Sequence, residues 1–340
     1  MRNDTRKKYN QYLARIAELN AVDSAGQQFS VDPSVQQKLE TAIQEKSDFL
    51  SLINIVPVDE MKGEKLGLGV SGPVSGRTNT SANKARQPRD VGTLDQRGYE
   101  CAQTNFDTFI KYATLDQWAK FPDFQTRLSG AIVQRQSLDR ITIGFNGTSV
   151  AVDSDLDANP LLQDVNIGWL QHIRTEAPSR WMHQVGSTGK IRVGPGGDYE
   201  NLDALVMDMN ELLEPWYRGT PGLRAIVGRS LVHDKYFPIV NREQGAQDEL
   251  ASQVLVSQKS IGGNVAISVP FFPANSILLT APDNLSIYYQ DGKRRRFVKE
   301  EPELNRISNY ESSNDAYVVE DLNGAALVEN IEFGNWKDAP

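Results

Sequence analysis

The sequence predicts an α+β protein, because helix-like and strand-like patterns occupy different parts of the chain. Apolar residues recur every three or four positions near the N-terminus and again over residues 114–144, as in amphipathic helices. Over residues 284–333, short apolar runs alternate with Asp-Gly, Pro and Asn-Gly turn signals, as in paired strands. The 340 residues suffice for one large or two medium domains.

The chain begins with a predicted amphipathic helix over residues 4–20. A small, polar stretch over residues 21–32 predicts a flexible linker. A second helix is predicted from Pro33 to about Phe49, because proline suits the first helical turn. Two short helices joined by a polar linker indicate a mobile arm. The basic residues of the first helix are Arg6, Lys7, Lys8 and Arg15.

A long projecting hairpin is predicted next. Residues 53–71 and 97–111 have strand character, and the stretch between them is polar and has no apolar face. A structureless stretch of this length is usually functional or disordered in a compact domain. The arm and this hairpin bury little of their own surface, so they would become stable on neighbouring subunits, which indicates an assembly protein. The basic residues of the hairpin include Arg77, Lys84, Arg86 and Arg89.

The longest predicted helix follows over residues 114–144, where Pro122 suits a first helical turn. Residues 150–280 mix helices with buried strands. Helices are predicted within "NPLLQDVNIGWLQHIRTEAP" and "DYENLDALVMDMNELLEPW", the second with Asp198 as its N-cap. The apolar runs "LRAIVGRSL" and "NSILLTA" predict buried strands.

A basic run, Lys293–Arg296, follows the Asp291-Gly292 turn signal in "YYQDGKRRRF". An Asp-Gly pair between two apolar runs predicts a tight hairpin, which would place the basic side chains just beyond its turn. Acidic residues at 300, 301 and 303 reduce the local field. We therefore interpret the run as a solvated or subunit-contacting hairpin and not as a DNA-binding motif.

The amino-acid composition argues against several classes of protein and of binding site. A formal net charge of -8 argues against a dedicated nucleic-acid-binding protein. A single cysteine, Cys101, allows neither an intramolecular disulfide nor a cysteine-based zinc site. No stretch approaches the roughly 20 apolar residues that span a bilayer, and the basic N-terminus lacks the apolar region of a signal peptide. We expect the protein to remain in the cytoplasm until it joins an assembly.

Catalytic and cofactor motifs are weak. "GLGVSG" at 67–72 has the glycine spacing of a dinucleotide site, but Pro73 and a polar stretch follow where a helix is needed. "DSDLDANPLLQD" spaces Asp153, Asp155, Asp157 and Asp164 like a calcium loop, but Ala158 replaces the required glycine and Asp164 the required glutamate. We predict no cofactor and no metal. The alternative function is a cytoplasmic α/β enzyme of unknown reaction, with the glycine motif or Cys101 as its site.

Several distinctive stretches, in order along nearly the whole chain, resemble the major capsid protein of peduovirus-type tailed phages. They include "SDFLSLINIVPVDEMKGEKLGLGVSG", "LDQWAKFPDFQTRL", "IRVGPGGDYENLDALVMD" and "NLSIYYQDGKRRRFVKEEPELNRISNYESSNDAYVVEDL". The resemblance implies the Hong Kong 97-type capsid fold. It also implies a structural, non-enzymatic subunit that self-assembles into an icosahedral shell and encloses double-stranded DNA. An encapsulin-like shell or a phage-derived tube would share the fold and differ in cargo.

The resemblance also gives each segment an expected identity. The helix over 114–144 would be the spine helix of a peripheral (P) domain. The expected segments are an N-terminal arm and removable propeptide at 1–29, an N-arm at 30–58, the extended E-loop hairpin at 59–107, the P domain at 108–149 and 281–335, and an axial (A) domain at 150–280.

The implied partners are further copies of the chain in pentamers and hexamers, an internal scaffold fused to the prohead protease, a portal, a decoration protein and packaged DNA. The protease would cut near Phe29-Ser30, in the predicted flexible linker. The expected location is the virion capsid, after assembly in the host cytoplasm. Candidate inner-surface contacts with scaffold or DNA are Arg6, Lys7, Lys8 and Arg15, and candidate inter-subunit contacts of the E-loop are Arg77, Lys84, Arg86 and Arg89.

Overall fold

A computed structural model describes most of the chain. The described residues are 1–64, 69–70, 75, 77–78, 85–86, 92–93, 98–119, 121, 124–232 and 260–337. The helices within these ranges are α1 (Asn3–Leu19), α2 (Pro33–Glu45), α3 (Tyr112–Trp118), α4 (Phe124–Asn146), α5 (Trp169–Glu176) and α6 (Leu202–Glu211).

The strands follow the α+β arrangement that the sequence predicts, with many of them at the two ends of the chain. They are β1 (Phe29–Ser30), β2 (Asn54–Val58), β3 (Lys62–Glu64), β4 (Gly69–Val70), β5 (Gly92–Thr93), β6 (Gly98–Glu100), β7 (Ala102–Asn105), β8 (Thr108–Lys111), β9 (Trp181–Met182), β10 (Ile191–Val193), β11 (Arg224–Val227), β12 (Ser260–Ile261), β13 (Asn264–Ile267), β14 (Ile277–Thr280), β15 (Leu285–Gln290), β16 (Arg295–Glu301), β17 (Arg306–Val319), β18 (Ala325–Val328) and β19 (Ile331–Phe333).

Two large sheets contain most of these strands, and the others form two-stranded sheets. In a seven-stranded sheet, β17 pairs with β15, β16, β7 and β8, β1 pairs with β16, and β2 pairs with β15. A six-stranded sheet has the order β12-β13-β11-β14-β18-β9. The main apolar core contains residues of both sheets, such as Ile287 and Tyr317 from the first and Leu278 and Leu327 from the second. Trp169 of α5 lies in this core, and its indole N–H donates to the Ser286 carbonyl at 3.0 Å.

The predicted hairpin at Asp291-Gly292 is wrong in its pairing. β15 and β16 flank this turn, but they do not pair with each other, because both pair with β17, one after the other along the same edge. β16 pairs antiparallel with β17 from Arg295↔Ser312 to Glu301↔Arg306. Gly292 still adopts the left-handed conformation, with a φ of 65°, that favours glycine in a turn. Because β17 can pair with both strands over their length, this non-local pairing replaces the short local one.

Two helix predictions also need correction. The pattern over 114–144 forms two helices, α3 and α4, and the sequence has Pro122 between them, where proline disfavours a continuous helix. The predicted N-cap Asp198 is wrong, because Asn201 caps α6 by accepting from the Ala204 amide at 2.9 Å. Asp198 instead accepts from the Arg192 amide at 2.8 Å.

The region predicted as a flexible linker, residues 21–32, contains a strand and buried side chains. β1 lies within it, and Ala25, Phe29 and Val31 are buried. These apolar side chains pack with α1 and with the β16–β17 side of the seven-stranded sheet. β1 spans only two residues, which is too short for an alternating pattern to mark it in the sequence.

The C-terminal segment contributes to both sheets. The sequence interpretation assigned residues 281–335 to one domain, yet β18 pairs antiparallel with β14, and β19 pairs parallel with β10. β14 and β10 lie in the segment 150–280, so strand pairing does not follow the predicted boundary. Within the described ranges, no helix combines the length and apolar character that crossing a membrane requires.

Candidate assembly surfaces and a buried ion cluster

The hairpin between residues 59 and 107 forms small sheets of its own. β3 pairs antiparallel with β6, and further out β4 pairs antiparallel with β5. The Lys62 ammonium lies 2.7 Å from a Glu100 carboxylate oxygen across the first pair. This geometry agrees with the predicted hairpin. Arg77 and Arg86 are exposed, whereas Lys84 and Arg89 lie outside the described residues.

A bidentate ion pair fixes α1 to the sheet. The Arg6 guanidinium donates to both carboxylate oxygens of Glu300, with Nη2···Oε1 at 2.6 Å. The Tyr112 hydroxyl donates to the same carboxylate at 2.7 Å. The hydrogen bonds from Arg6 lower the pKa of Glu300, and burial raises the pKa of Tyr112 to about 12. Arg6 therefore serves contacts within its own chain.

The apolar face of α1 lies on the sheet beside this ion pair. Tyr9 and Ile16 pack in a cluster with Leu115, Val298 and Ile307. Burying several such side chains is worth a few kcal/mol, so α1 is docked and not free. Among the other basic residues of α1, Lys8 donates to the Ala119 carbonyl at 2.5 Å. Lys7 and Arg15 are exposed, and Arg15 pairs with Glu18 at 2.7 Å.

The Phe29-Ser30 bond lies at the edge of the seven-stranded sheet. Phe29 pairs with Arg296 and Ser30 with Arg295 in an antiparallel register. Phe29 is buried, and the Ser30 hydroxyl donates to the Gly292 carbonyl at 2.8 Å. A protease that binds an extended segment would first have to separate β1 from β16.

The predicted solvated basic run contains a buried residue, Arg294, at the centre of an ion cluster. Its guanidinium donates to Glu40 of α2 at 2.7 Å and to Glu311 of β17 at 2.7 Å. Arg140 of α4 also donates to Glu40 and lies 3.4 Å from Asp315 of β17. The side chains of Glu40, Arg140, Arg294, Glu311 and Asp315 are all buried. Their contacts join α2, α4, β17 and the segment before β16.

Opposing effects set the protonation of this cluster. Burial disfavours the ionised form of Glu40, but Arg140 and Arg294 outweigh it and the pKa of Glu40 is lowered. Burial raises the pKa of Asp315 in spite of Arg140. Sequence reasoning missed this cluster. Strand periodicity was the available signal, because Arg294 and Arg296 fall on one face of an extended chain while Lys293 and Arg295 are exposed.

Among the described residues, the thiol of Cys101, a candidate site of the alternative enzyme hypothesis, is not activated as a nucleophile. A cleft of about 770 Å³ is lined by Cys101, His172 and residues of β3, β6 and β17. Burial raises the pKa of Cys101 to about 12, so the nucleophilic thiolate is disfavoured at neutral pH. The Nδ1 atom of the His172 ring is hydrogen-bonded to a carboxylate oxygen of Glu176. In the glycine motif, Gly69 lies in β4, and Gly67 and Gly72 lie outside the described residues.

Comparison with known proteins gives a consistent result over the length of the chain. The profile of the family described as "Phage major capsid protein, P2 family" matches residues 8–331. The capsid protein of Escherichia phage P2 is 53% identical over 345 residues, covering 99% of this chain and 97% of that protein. The major capsid protein of Serratia phage KSP20 is 43% identical, covering 98% of each chain.

Solved structures give the same result for the fold. A chain of the satellite phage P4 procapsid, whose structure includes the size determination (Sid) protein, is 50% identical with a TM-score of 0.84. The match covers 99% of this chain and 100% of that one. The capsid of an empty GTA particle matches with a TM-score of 0.50 at 15% identity over 84% of this chain and 90% of that one, which supports a common fold alone.

Proposed function

The chain belongs to the P2 family of phage major capsid proteins and forms a capsid shell, and we propose that this shell consists of pentamers and hexamers of the chain. These rings close into the icosahedral head of a tailed phage around double-stranded DNA. The observation that carries this proposal is the hairpin of β3 to β6, whose strand pairs form two-stranded sheets that are not hydrogen-bonded to either main sheet. Such an element gains stability when it lies against a neighbouring copy.

We propose that the segments have the roles that the resemblance implies. The hairpin at 59–107 acts as the E-loop, and α4 is the spine helix of the P domain, which also contains the seven-stranded sheet. The six-stranded sheet belongs to the A domain, and because β18 and β19 pair with strands of 150–280, we assign residues 325–333 to that domain as well. The N-arm at 30–58 supplies α2 and β2 to the P domain.

The proposed partners act at the N-terminal arm. The exposed residues Lys7 and Arg15 of α1 would contact an internal scaffold first and DNA later, whereas Arg6 and Lys8 hold α1 on its own subunit. A prohead protease fused to the scaffold would cut between Phe29 and Ser30 once β1 has separated from β16. A portal and a decoration protein complete the proposed partners, and assembly takes place in the host cytoplasm. The net charge of -8 suits a shell that must not hold DNA tightly.

Intact-mass measurement of the protein from mature particles tests the processing step. A chain that begins at Ser30 is expected, and a chain that begins at Met1 would contradict the proposed cleavage. Replacing Val298 of β16 with alanine would weaken the cluster that buries Phe29 without changing the cleaved bond, so cleavage by the co-expressed protease should become faster.

Reconstruction of purified shells by electron cryomicroscopy tests the arrangement itself. We expect rings of five and six copies, with the E-loop of each copy on its neighbour. A tube built only from six-copy rings would contradict the icosahedral head. The proposal assigns a structural role and no enzymatic activity to the chain, which its membership of a capsid protein family supports.

A further inference from the structure

A closed loop follows α4 and is held together by polar contacts. We call residues 148–167 the acidic loop. Thr148 and Ile167 form an antiparallel bridge at its base. Inside it, one carboxylate oxygen of Asp164 accepts from the Asp155 amide at 2.7 Å and from the Asn159 side chain at 3.2 Å. These bonds give the loop a fixed shape.

Several apolar side chains of the acidic loop are exposed, whereas Leu162 and Val165 pack against the main core. Val152 is fully exposed at 101% and Leu156 is 64% exposed. Val150 and Leu161 are also among the exposed large apolar residues. An exposed valine contributes no burial to its own fold. Concentrated on one ordered loop, such residues mark an interaction surface.

The charge of the loop identifies the partner chemistry. Residues 148–167 carry Asp153, Asp155, Asp157 and Asp164 and no basic residue. The segment 77–89, which lies between β4 and β5 in the sequence, has the opposite composition, with Arg77, Lys84, Arg86 and Arg89 and no acidic residue. Opposite charges on two surfaces steer association and fix its register.

We propose that the acidic loop is the docking surface for residues 77–89 of a second copy of this chain. This inference rests on the proposed function, because it names the surface that receives the E-loop in the shell. Val152 and Leu156 supply the apolar contact, and Asp153 and Asp157 supply the charge. Asp155 and Asp164 shape the loop from within.

Shell assembly of loop variants in the presence of scaffold tests the proposal. Leu156→Ser removes apolar surface that the free subunit leaves exposed, so its melting temperature should not change. The variant Asp153→Arg/Asp157→Arg places like charges opposite residues 77–89. Each variant should lower the yield of sedimenting shells by about tenfold or more, which corresponds to about 1.4 kcal/mol. Met207→Ser is the matched control, because Met207 is 65% exposed on α6.

A compensating charge reversal in residues 77–89 tests whether this segment is the one that binds the acidic loop. Adding Arg77→Glu and Arg86→Glu to the reversed loop should restore the yield of shells, because the two surfaces are again complementary. Loss of shells without restoration would assign the loop to another partner and overturn the proposal. Wild-type yields from the loop variants, or equal losses from Met207→Ser, would overturn it as well. Failure of the wild-type chain to form shells would instead contradict the proposed function.

Discussion

Replacing Arg140 with methionine tests the buried ion cluster directly. Arg140 bridges Glu40 of α2 and Asp315 of β17, and its side chain is fully buried. Methionine fills similar space but leaves Glu40 with Arg294 alone and removes the ion pair of Asp315. Breaking a buried pair in this way costs about 3–5 kcal/mol in the free energy of unfolding, because a charge remains without its partner.

The loss should depend on pH, because Asp315 can take up a proton. Burial already raises the pKa of Asp315, and removal of Arg140 raises it further. A group with a raised folded pKa stabilises the fold at low pH, and that stability is lost as pH rises through the folded pKa. The difference between variant and wild type should therefore widen as pH rises above the ordinary pKa range of an aspartate, by up to about 1.4 kcal/mol for each pH unit.

Urea unfolding of the unassembled subunit measures both quantities. Arg15→Met is the control, because Arg15 and its partner Glu18 are both exposed, and it should change the free energy of unfolding by less than about 0.5 kcal/mol. A loss below about 1 kcal/mol for Arg140→Met, or a loss that does not vary with pH, would refute the reasoning.

Further predictions concern a thiol, a cap and the docking of α1. Cys101 should react with a thiol reagent at pH 8 at least about a hundredfold more slowly in the folded subunit than in urea, because its pKa is raised to about 12; equal rates would contradict its burial. Asn201→Ala should cost about 1 kcal/mol at the start of α6 and Asn201→Gly only a few tenths, and equal losses would argue against a cap. Glu300→Gln should speed amide hydrogen exchange in α1 at pH 7. Because Arg6 lowers the pKa of Glu300, wild-type α1 should keep its protection above the ordinary pKa range of a glutamate and lose it only as pH falls through the lowered pKa. Equal exchange rates in wild type and Glu300→Gln at pH 7 would contradict this role.

Local patterns in the sequence predict much of the fold. The apolar runs that contain β11 and β14 are bounded by turn residues and are buried as expected. The spacing of apolar residues predicts α1, and Pro33 marks the start of α2. The hairpin between residues 59 and 107 follows from two strand-like runs around a polar stretch.

Non-local contacts explain the incorrect predictions. The turn at Asp291-Gly292 has the local signal of a hairpin, but β17 provides a longer partner for each flanking strand. Asp198 and Asn201 are both good capping residues, and the pairing of Asp198 with Arg192 decides between them. The ion cluster joins residues that lie up to 275 positions apart, Glu40 to Asp315, and no local pattern contains that information.

Sedimentation velocity with negative-stain microscopy, applied to the full chain co-expressed with its internal scaffold, tests the central claim most directly. The account predicts closed shells of uniform diameter and little free subunit. A uniform species of one to four copies that never assembles would contradict the account.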